Sequence, residues 1–158
     1  MITPIKEVPV HIRTMVHDDL ALVSDIERRS YEFPWSHGVF RDCLLAGYNC
    51  IIVERGESVA GYGILSVAAG EAHILNLCVD PNLRSLGYGD LLLDEVLVRA
   101  QGSDVTEIFL EVRPSNESAI ALYQKKGFRQ IAYRPAYYQA RKGREDAAVL
   151  SKVLKPVS

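Results

Sequence analysis

Cysteine is scarce: Cys43, Cys50 and Cys78 are the only three in 158 residues, and no two form a Cys-x-x-Cys pair. An odd number of thiols set inside apolar runs argues against a disulfide framework and for buried, reduced side chains. The four histidines, His11, His17, His37 and His73, show neither zinc-ligand spacing nor a His-Glu-x-x-His pair, so no metal is expected. No apolar run approaches the ~18 residues of a membrane span, and the stretch Met1 to Glu7 lacks the basic-then-apolar layout of a secretion signal. A soluble, cytoplasmic protein is therefore expected. Excess charge is missing as well: 18 Lys and Arg against 20 Asp and Glu leave a formal charge of -2. That balance excludes a nucleic-acid grip built on bulk positive charge.

What is present is an ordinary globular composition, 48% hydrophobic and 24% charged, which excludes the disordered and fibrous classes. A chain of this length suits one domain and buries a substantial core without staples. Residues 1–9 carry Pro4 and Pro9 with no clear period and read as an extension; residues 10–155 read as the domain.

Val10 to Met15 is a plausible first strand. Asp18 and Asp19 suit a helix start, and Leu20, Val23 and Ile26 continue at helical spacing. Phe33-Pro34-Trp35 breaks that pattern, and Ser36 is placed to cap a second helix carrying Val39, Phe40, Cys43 and Leu44. The aromatic pair Phe33 and Trp35 either offers a binding surface or plugs a gap between the two helices. Tyr48–Glu54, Ser58–Val67 and Glu71–Asp80 read as a three-strand meander.

The stretch Asp80-Pro81-Asn82-Leu83-Arg84-Ser85-Leu86-Gly87-Tyr88-Gly89-Asp90 then separates a strand from a helix marked by Leu93, Val96, Leu97 and Ala100. Glycine permits the dihedrals that turn several N–H groups to one side, and the first amides of a helix have no internal partner. Such a turn suits an anion like a pyrophosphate. The P-loop is excluded because no lysine follows Gly89, and the dinucleotide fingerprint because Leu92 stands at its third glycine.

Thr106 to Arg113 is the next strand, with Ile108, Leu110 and Val112 on one face and Phe109, Glu111 and Arg113 on the other. Strand, helix and strand with so long a crossover make a parallel pair. Pro114 to Glu117 opens a helix carrying Ala119, Leu122, Tyr123 and Lys126 on one side, ended by Gly127. Phe128–Tyr138 and Asp146–Leu154 close the chain as two strands joined by a polar loop.

Glu111 is a candidate base: a carboxylate following the apolar run Ile108-Phe109-Leu110. Its ordinary pKa of about 4.3 lies well below the ~7.7 to 8 of an α-amine, which favours a proton relay through water. Tyr123 is a candidate acid because a phenol stays protonated at neutral pH. A solvent-facing glutamate and a core tyrosine are the plain alternatives, and capping alone explains Asn116.

Arg84-x-x-Gly87-x-Gly89 resembles the acetyl-coenzyme A signature of the GNAT acyltransferases. Four further segments strengthen the likeness: Leu110 to Asn116; Ala119 to Tyr123 with Lys126-Gly127-Phe128; Phe33-Pro34-Trp35-Ser36; and Tyr137-Tyr138 with Gly143 to Ala147. Together they are similar to the N-terminal protein acetyltransferases of that family, from about His11 to Leu154.

The resemblance implies an α/β fold with a mixed sheet of about seven strands, a splayed central parallel pair and about four helices. It implies acetyl-CoA as cosubstrate, and a protein N-terminus as acceptor, in particular the N-terminal alanine of a small-subunit ribosomal protein. It makes Glu111 the proton acceptor and Tyr123 the donor. Cys78, Val79, Arg84, Leu86, Gly87, Tyr88, Gly89, Asp90 and Asn116 would contact the cofactor; Phe33, Trp35, Tyr137 and Tyr138 would shape the acceptor cleft. Asp90 departs from the family's usual basic residue; it either places an anion near the diphosphate or serves the helix dipole. Two alternatives stay open: an acetyltransferase for small amines or lysine side chains, and a CoA-binding module without catalysis.

Overall fold

The computed structural model describes residues 8–102 and 104–154. The expected extension therefore falls largely outside the described residues. Of it, Pro9 offers its carbonyl to the Gly56 N–H at 2.8 Å, just ahead of the first strand.

Seven strands form one mixed sheet: β1 (Val10–Thr14), β2 (Asn49–Arg55), β3 (Ser58–Ala68), β4 (Glu71–Val79), β5 (Glu107–Val112), β6 (Arg129–Gln139) and β7 (Arg144–Val153). Their order is β1-β2-β3-β4-β5-β7-β6, with β4 and β5 parallel and β7 inserted antiparallel between β5 and the edge strand β6. Four α-helices accompany them: α1 (Leu20–Ser30), α2 (His37–Leu45), α3 (Tyr88–Gln101) and α4 (Glu117–Lys125). The mixed sheet, the parallel pair and the four helices match the expected fold class. The parallel ladder runs only from Glu71 opposite Glu107 to Ile74 opposite Leu110, whereas β4 continues to Val79. None of the helices among the described residues is long and apolar enough to cross a membrane.

The chain divides into two compact units. The first comprises residues up to Ile64 and Asn76–Val96. Its core is built by Leu20, Val23 and Ile26 of α1, Phe40 of α2, Cys50 to Val53 of β2, and Leu92, Leu93 and Val96 of α3. Each large apolar side chain removed from water there contributes about 1.5–3 kcal/mol. α2 starts where Ser36 indicated, its side chain accepting the Val39 N–H at 3.3 Å. A one-turn helix, His17–Asp19, precedes α1. Asp19, 5% exposed, closes it by accepting the Val16 N–H at 2.8 Å and two N–H groups of Arg13 at 2.7 and 2.8 Å.

The second unit comprises Leu65–Leu75 and the chain from Leu97 onward. Ile108, Leu110 and Val112 of β5 are buried together with Ala147, Ala148 and Leu150 of β7, as the alternation in β5 requires. β6 lies at the edge, where Pro135 costs no ladder hydrogen bond. Its register breaks between Arg134 and Tyr138, and Ala136 sits at φ 53° with its N–H on Asp146 Oδ1 at 2.8 Å. This bulge interrupts the regular strand expected for Phe128–Tyr138 and re-aims the residues that follow it.

Two outcomes test this packing. A Cβ built on Gly61 lies 2.7 Å from the Cys78 carbonyl oxygen, a backbone atom that has no rotamer to yield. Gly61→Ala should cost about 1–3 kcal/mol by denaturant unfolding, and a variant as stable as wild type would contradict the close approach.

The Asp19 carboxyl is held below its ordinary value by the Arg13 guanidinium; burial opposes this and the Val16 N–H assists it. A depressed folded pKa adds stability that is present above the unfolded value of about 3.9 and lost as pH falls through the folded one. Asp19→Asn should therefore cost about 1–2 kcal/mol at neutral pH, with the deficit shrinking below about pH 4. A deficit independent of pH would contradict the assignment.

Candidate active site

The candidate residues fall in both units. In the first, Asp80 ends β4 and starts a one-turn helix, Pro81–Leu83, with its carboxylate accepting the Asn82 N–H at 2.9 Å. Arg29 of α1 clasps the same carboxylate with two N–H donors, both at 3.0 Å. That pair holds Asp80 below the ordinary carboxylate range against the effect of burial. The loop beyond is therefore anchored at its base by an ion pair reaching back 51 positions.

Ser85 at φ 64° and Gly87 at φ 91° then turn the chain into α3. A Cβ on Gly87 would meet nothing within 4 Å, so glycine is needed there for its dihedral and not for space. Gly89 is already within the helix. The Leu91 N–H donates to the Gly87 carbonyl at 3.1 Å, and the amides ahead of it belong to the first turn, where a helix supplies no internal acceptor. Asp90 stands in that first turn. Arg84, Leu86 and Tyr88 lie along the same stretch, and Leu86 is 56% exposed. Cys78 is buried, its thiol donating to Ser30 Oγ at 3.3 Å, and its carbonyl backs onto Gly61; Val79 follows as the last residue of β4.

The two aromatics of the segment before α2 differ in their surroundings. Trp35 packs on Phe40 with ring centroids 5.2 Å apart, and Phe40 meets the edge of Tyr62 at 5.5 Å, so Trp35 does plug a gap. Phe33 remains 39% exposed. The segment hangs on Glu27, whose role was not foreseen. This carboxylate, 2% exposed, accepts the Trp35 N–H at 3.0 Å, the Tyr62 hydroxyl at 2.7 Å and Asn76 Nδ2 at 3.0 Å. Three donors satisfy a charge that burial alone would make costly. The available signal was an acidic residue beside the apolar positions Val23 and Ile26 of an amphipathic helix.

In the second unit, Glu111 is not the solvent-facing side chain of a plain alternating strand: its side chain is only 5% exposed. The parallel register sets His73 opposite Phe109, and the two rings stack at 4.6 Å and 24°. His73 Nε2 then lies 2.5 Å from Glu111 Oε2, and Arg134 Nε lies 3.3 Å from Oε1. Burial pushes the Glu111 carboxyl up, but the hydrogen bond and charge of His73, with the charge of Arg134, bring it below its ordinary value.

Tyr137 and Tyr138 follow the β6 bulge, with rings edge to face at 4.8 Å. The Arg134 guanidinium lies 5.8 Å from the Tyr137 ring and Arg113 lies 4.5 Å from that of Tyr138. Burial first, then neighbouring negative groups, raises both phenols above their ordinary value. Arg113 is held in turn by Glu145 at 3.2 Å, and that carboxylate also accepts the Ser115 N–H and hydroxyl at 3.2 Å each. Glu111, Tyr137 and Tyr138 are thus brought into one electrostatic group, to which the structure adds His73, Arg134, Arg113 and Glu145.

Asn116 caps α4, accepting the Ala119 N–H at 3.2 Å and the Ser118 hydroxyl at 3.3 Å. Tyr123, 6% exposed, packs edge to face on Phe128 at 5.5 Å.

Comparison with known proteins follows the same outline. The family model for the acetyltransferase (GNAT) family matches residues 20–128. The [ribosomal protein bS18]-alanine N-acetyltransferase of Escherichia coli K12 is 34% identical over 140 residues, covering 89% of this chain and 95% of that protein. Its namesake in Haemophilus ducreyi is 32% identical over 144 residues, covering 90% of this chain and 99% of that protein. The crystal structure of the Escherichia coli ribosomal-protein-S18-alanine N-acetyltransferase superposes with a TM-score of 0.88 at 31% identity, over 95% of this chain and 97% of that one. With the family model spanning most of its length, this chain belongs to the GNAT family of acetyltransferases.

Proposed function

We propose that the protein transfers an acetyl group from acetyl-CoA to the α-amine of a protein N-terminus, and that its acceptor is the N-terminal alanine of a small-subunit ribosomal protein. The observation that carries this reading is the 34% identity, over nearly the full length of both chains, to an enzyme named for that substrate. The chemistry on β5 agrees with it. The reaction belongs to the cytoplasm, where ribosomal proteins are made.

The residues present fit the cosubstrate. The turn through Ser85 and Gly87, with nothing within 4 Å of a Cβ built on Gly87, leads directly into the first turn of α3, an arrangement suited to a diphosphate. Main-chain groups from Leu86 to Asp90 would hold it, with Arg84 beside them, Asn116 as a further polar contact, and Cys78 and Val79 offering main-chain groups to the pantetheine arm. Bound acetyl-CoA supplies a thioester whose carbonyl carbon is the acetyl donor.

Glu111 supplies the negative charge that draws a proton from the acceptor ammonium. An amine is a nucleophile only once that proton has gone. Tyr123 donates a proton to the departing thiolate, for which a phenol is suited because it is protonated at neutral pH. Phe33 and Trp35 in the first unit, and Tyr137 and Tyr138 in the second, are the residues assigned to acceptor binding. The Glu27 contact to the Trp35 amide holds the backbone of that segment in place.

Glu111→Gln should lower kcat by about 100-fold with an alanine-initiated peptide while leaving acetyl-CoA affinity within about twofold in calorimetry. Tyr123→Phe should slow turnover by about 10-fold or more, because thiolate release loses its donor. Full turnover in both variants would contradict the assigned roles. An acceptor panel should favour the alanine-initiated peptide over polyamines, aminoglycosides and internal-lysine peptides. Mass spectrometry of ribosomal proteins from cells without the gene should show one N-terminus losing its acetyl group. An unchanged pattern would remove the proposed substrate.

A further inference from the structure

Both oxygens of Glu111 are engaged, Oε2 by His73 and Oε1 by Arg134. Its side chain is 5% exposed, against 25% for His73, so a molecule arriving from solvent reaches the imidazole more readily than the carboxylate. An imidazole can also take up a proton at one ring nitrogen while the other stays bonded to a carboxylate.

The geometry fixes how the ring would act. When neutral, it carries one proton, and a carboxylate against Nε2 places that proton on Nε2, leaving the lone pair on Nδ1. Among the described residues Nδ1 makes no hydrogen bond. Stacking on Phe109 at 4.6 Å holds the ring plane, so tautomer and orientation are set by separate neighbours. A base oriented by a third group is the arrangement that activates nucleophiles in unrelated enzymes.

We propose that His73 holds the proton removed from the acceptor amine, and that Glu111 is the positioning residue that orients the ring through Nε2 and stabilises the imidazolium. The inference rests on the acetyl-transfer reading and refines the part Glu111 plays in it. One proton leaves the acceptor ammonium for Nδ1, directly or through one water. The freed lone pair bonds to the thioester carbonyl carbon, and the C–S bond breaks with its electron pair passing to sulfur. The thiolate takes the phenol proton of Tyr123, the second N–H proton of the acceptor restores the phenol, and the imidazolium releases its proton to solvent.

The charged and titratable groups around the pair leave His73 in this role. Arg134 faces the same carboxylate from β6, and Tyr137 and Tyr138, with the Arg113–Glu145 pair beyond them, complete the set. Both phenols sit above their ordinary range, chiefly through burial, so neither competes for the proton near neutrality.

The test combines kinetics with a spectroscopic reading of the ring. His73→Gln and His73→Phe should each lower kcat/KM for an alanine-initiated peptide by about 100-fold, with acetyl-CoA affinity within about twofold of wild type. Glu111→Gln should also release the tautomer, so that ¹⁵N NMR no longer finds the neutral His73 ring predominantly protonated at Nε2.

In ¹⁵N-histidine-labelled wild-type protein, NMR should find the neutral His73 ring protonated at Nε2, a result independent of turnover. Activity of His73→Phe within twofold of wild type at every pH, or a neutral ring protonated at Nδ1, would overturn the proposal while leaving the acetyltransferase reading intact. Wild-type protein that binds acetyl-CoA but acetylates no amine would overturn both.

Discussion

A carboxylate almost withdrawn from water on β5 sets the terms for the second unit. Ionised, Glu111 needs partners, because an isolated buried charge costs far more than a fold of this size tolerates. The parallel ladder supplies one by setting His73 of β4 two positions from it, and the edge strand supplies the other in Arg134. The bulge in β6 follows from the same need for precise placement. With Ala136 in the left-handed region, Tyr137 and Tyr138 no longer alternate as in a regular strand, and both contribute to the electrostatics of Glu111. Structure and chemistry meet here: His73, one of the two partners that make burial of the carboxylate tolerable, is also a side chain able to carry a proton.

A parallel economy of buried charge governs the first unit. Glu27 gathers donors from the Trp35 backbone, from Tyr62 on β3 and from Asn76 on β4, and so ties the segment before α2 to the sheet. Arg29, two positions further along α1, clasps Asp80 at the base of the glycine turn. One helix thereby anchors two loops. Glu27 accepts through its carboxylate deep in the core; Arg29 donates at the surface, where the pairing is worth less to stability and serves to orient.

Much of this was legible because the signals are local. Apolar alternation in Ile108 to Val112, the cap at Ser36, the break at Phe33-Pro34 and the turn at Gly87 each depend on a few neighbouring residues, and each lies where the pattern places it. The parallel pairing of β4 and β5 followed from a crossover too long for a hairpin. What stayed hidden is contact between distant positions. His73 read as an isolated histidine because its partner lies 38 positions away, and register alone, which the chain pattern does not number, brings them together. Glu27 looked like an ordinary helical residue since its three donors come from three other segments. The β6 bulge was invisible for a different reason: Ala136 carries no glycine or asparagine to announce a positive φ.

The most direct measurement is a crystal structure with a bisubstrate analogue in which coenzyme A is joined through the acetyl carbon to the amine of an alanine-initiated peptide. That nitrogen should lie about 3 Å from His73 Nδ1, or one bridging water away, with Glu111 still bonded to Nε2. An analogue whose nitrogen sits beyond reach of His73 Nδ1, even through one water, would contradict this assignment.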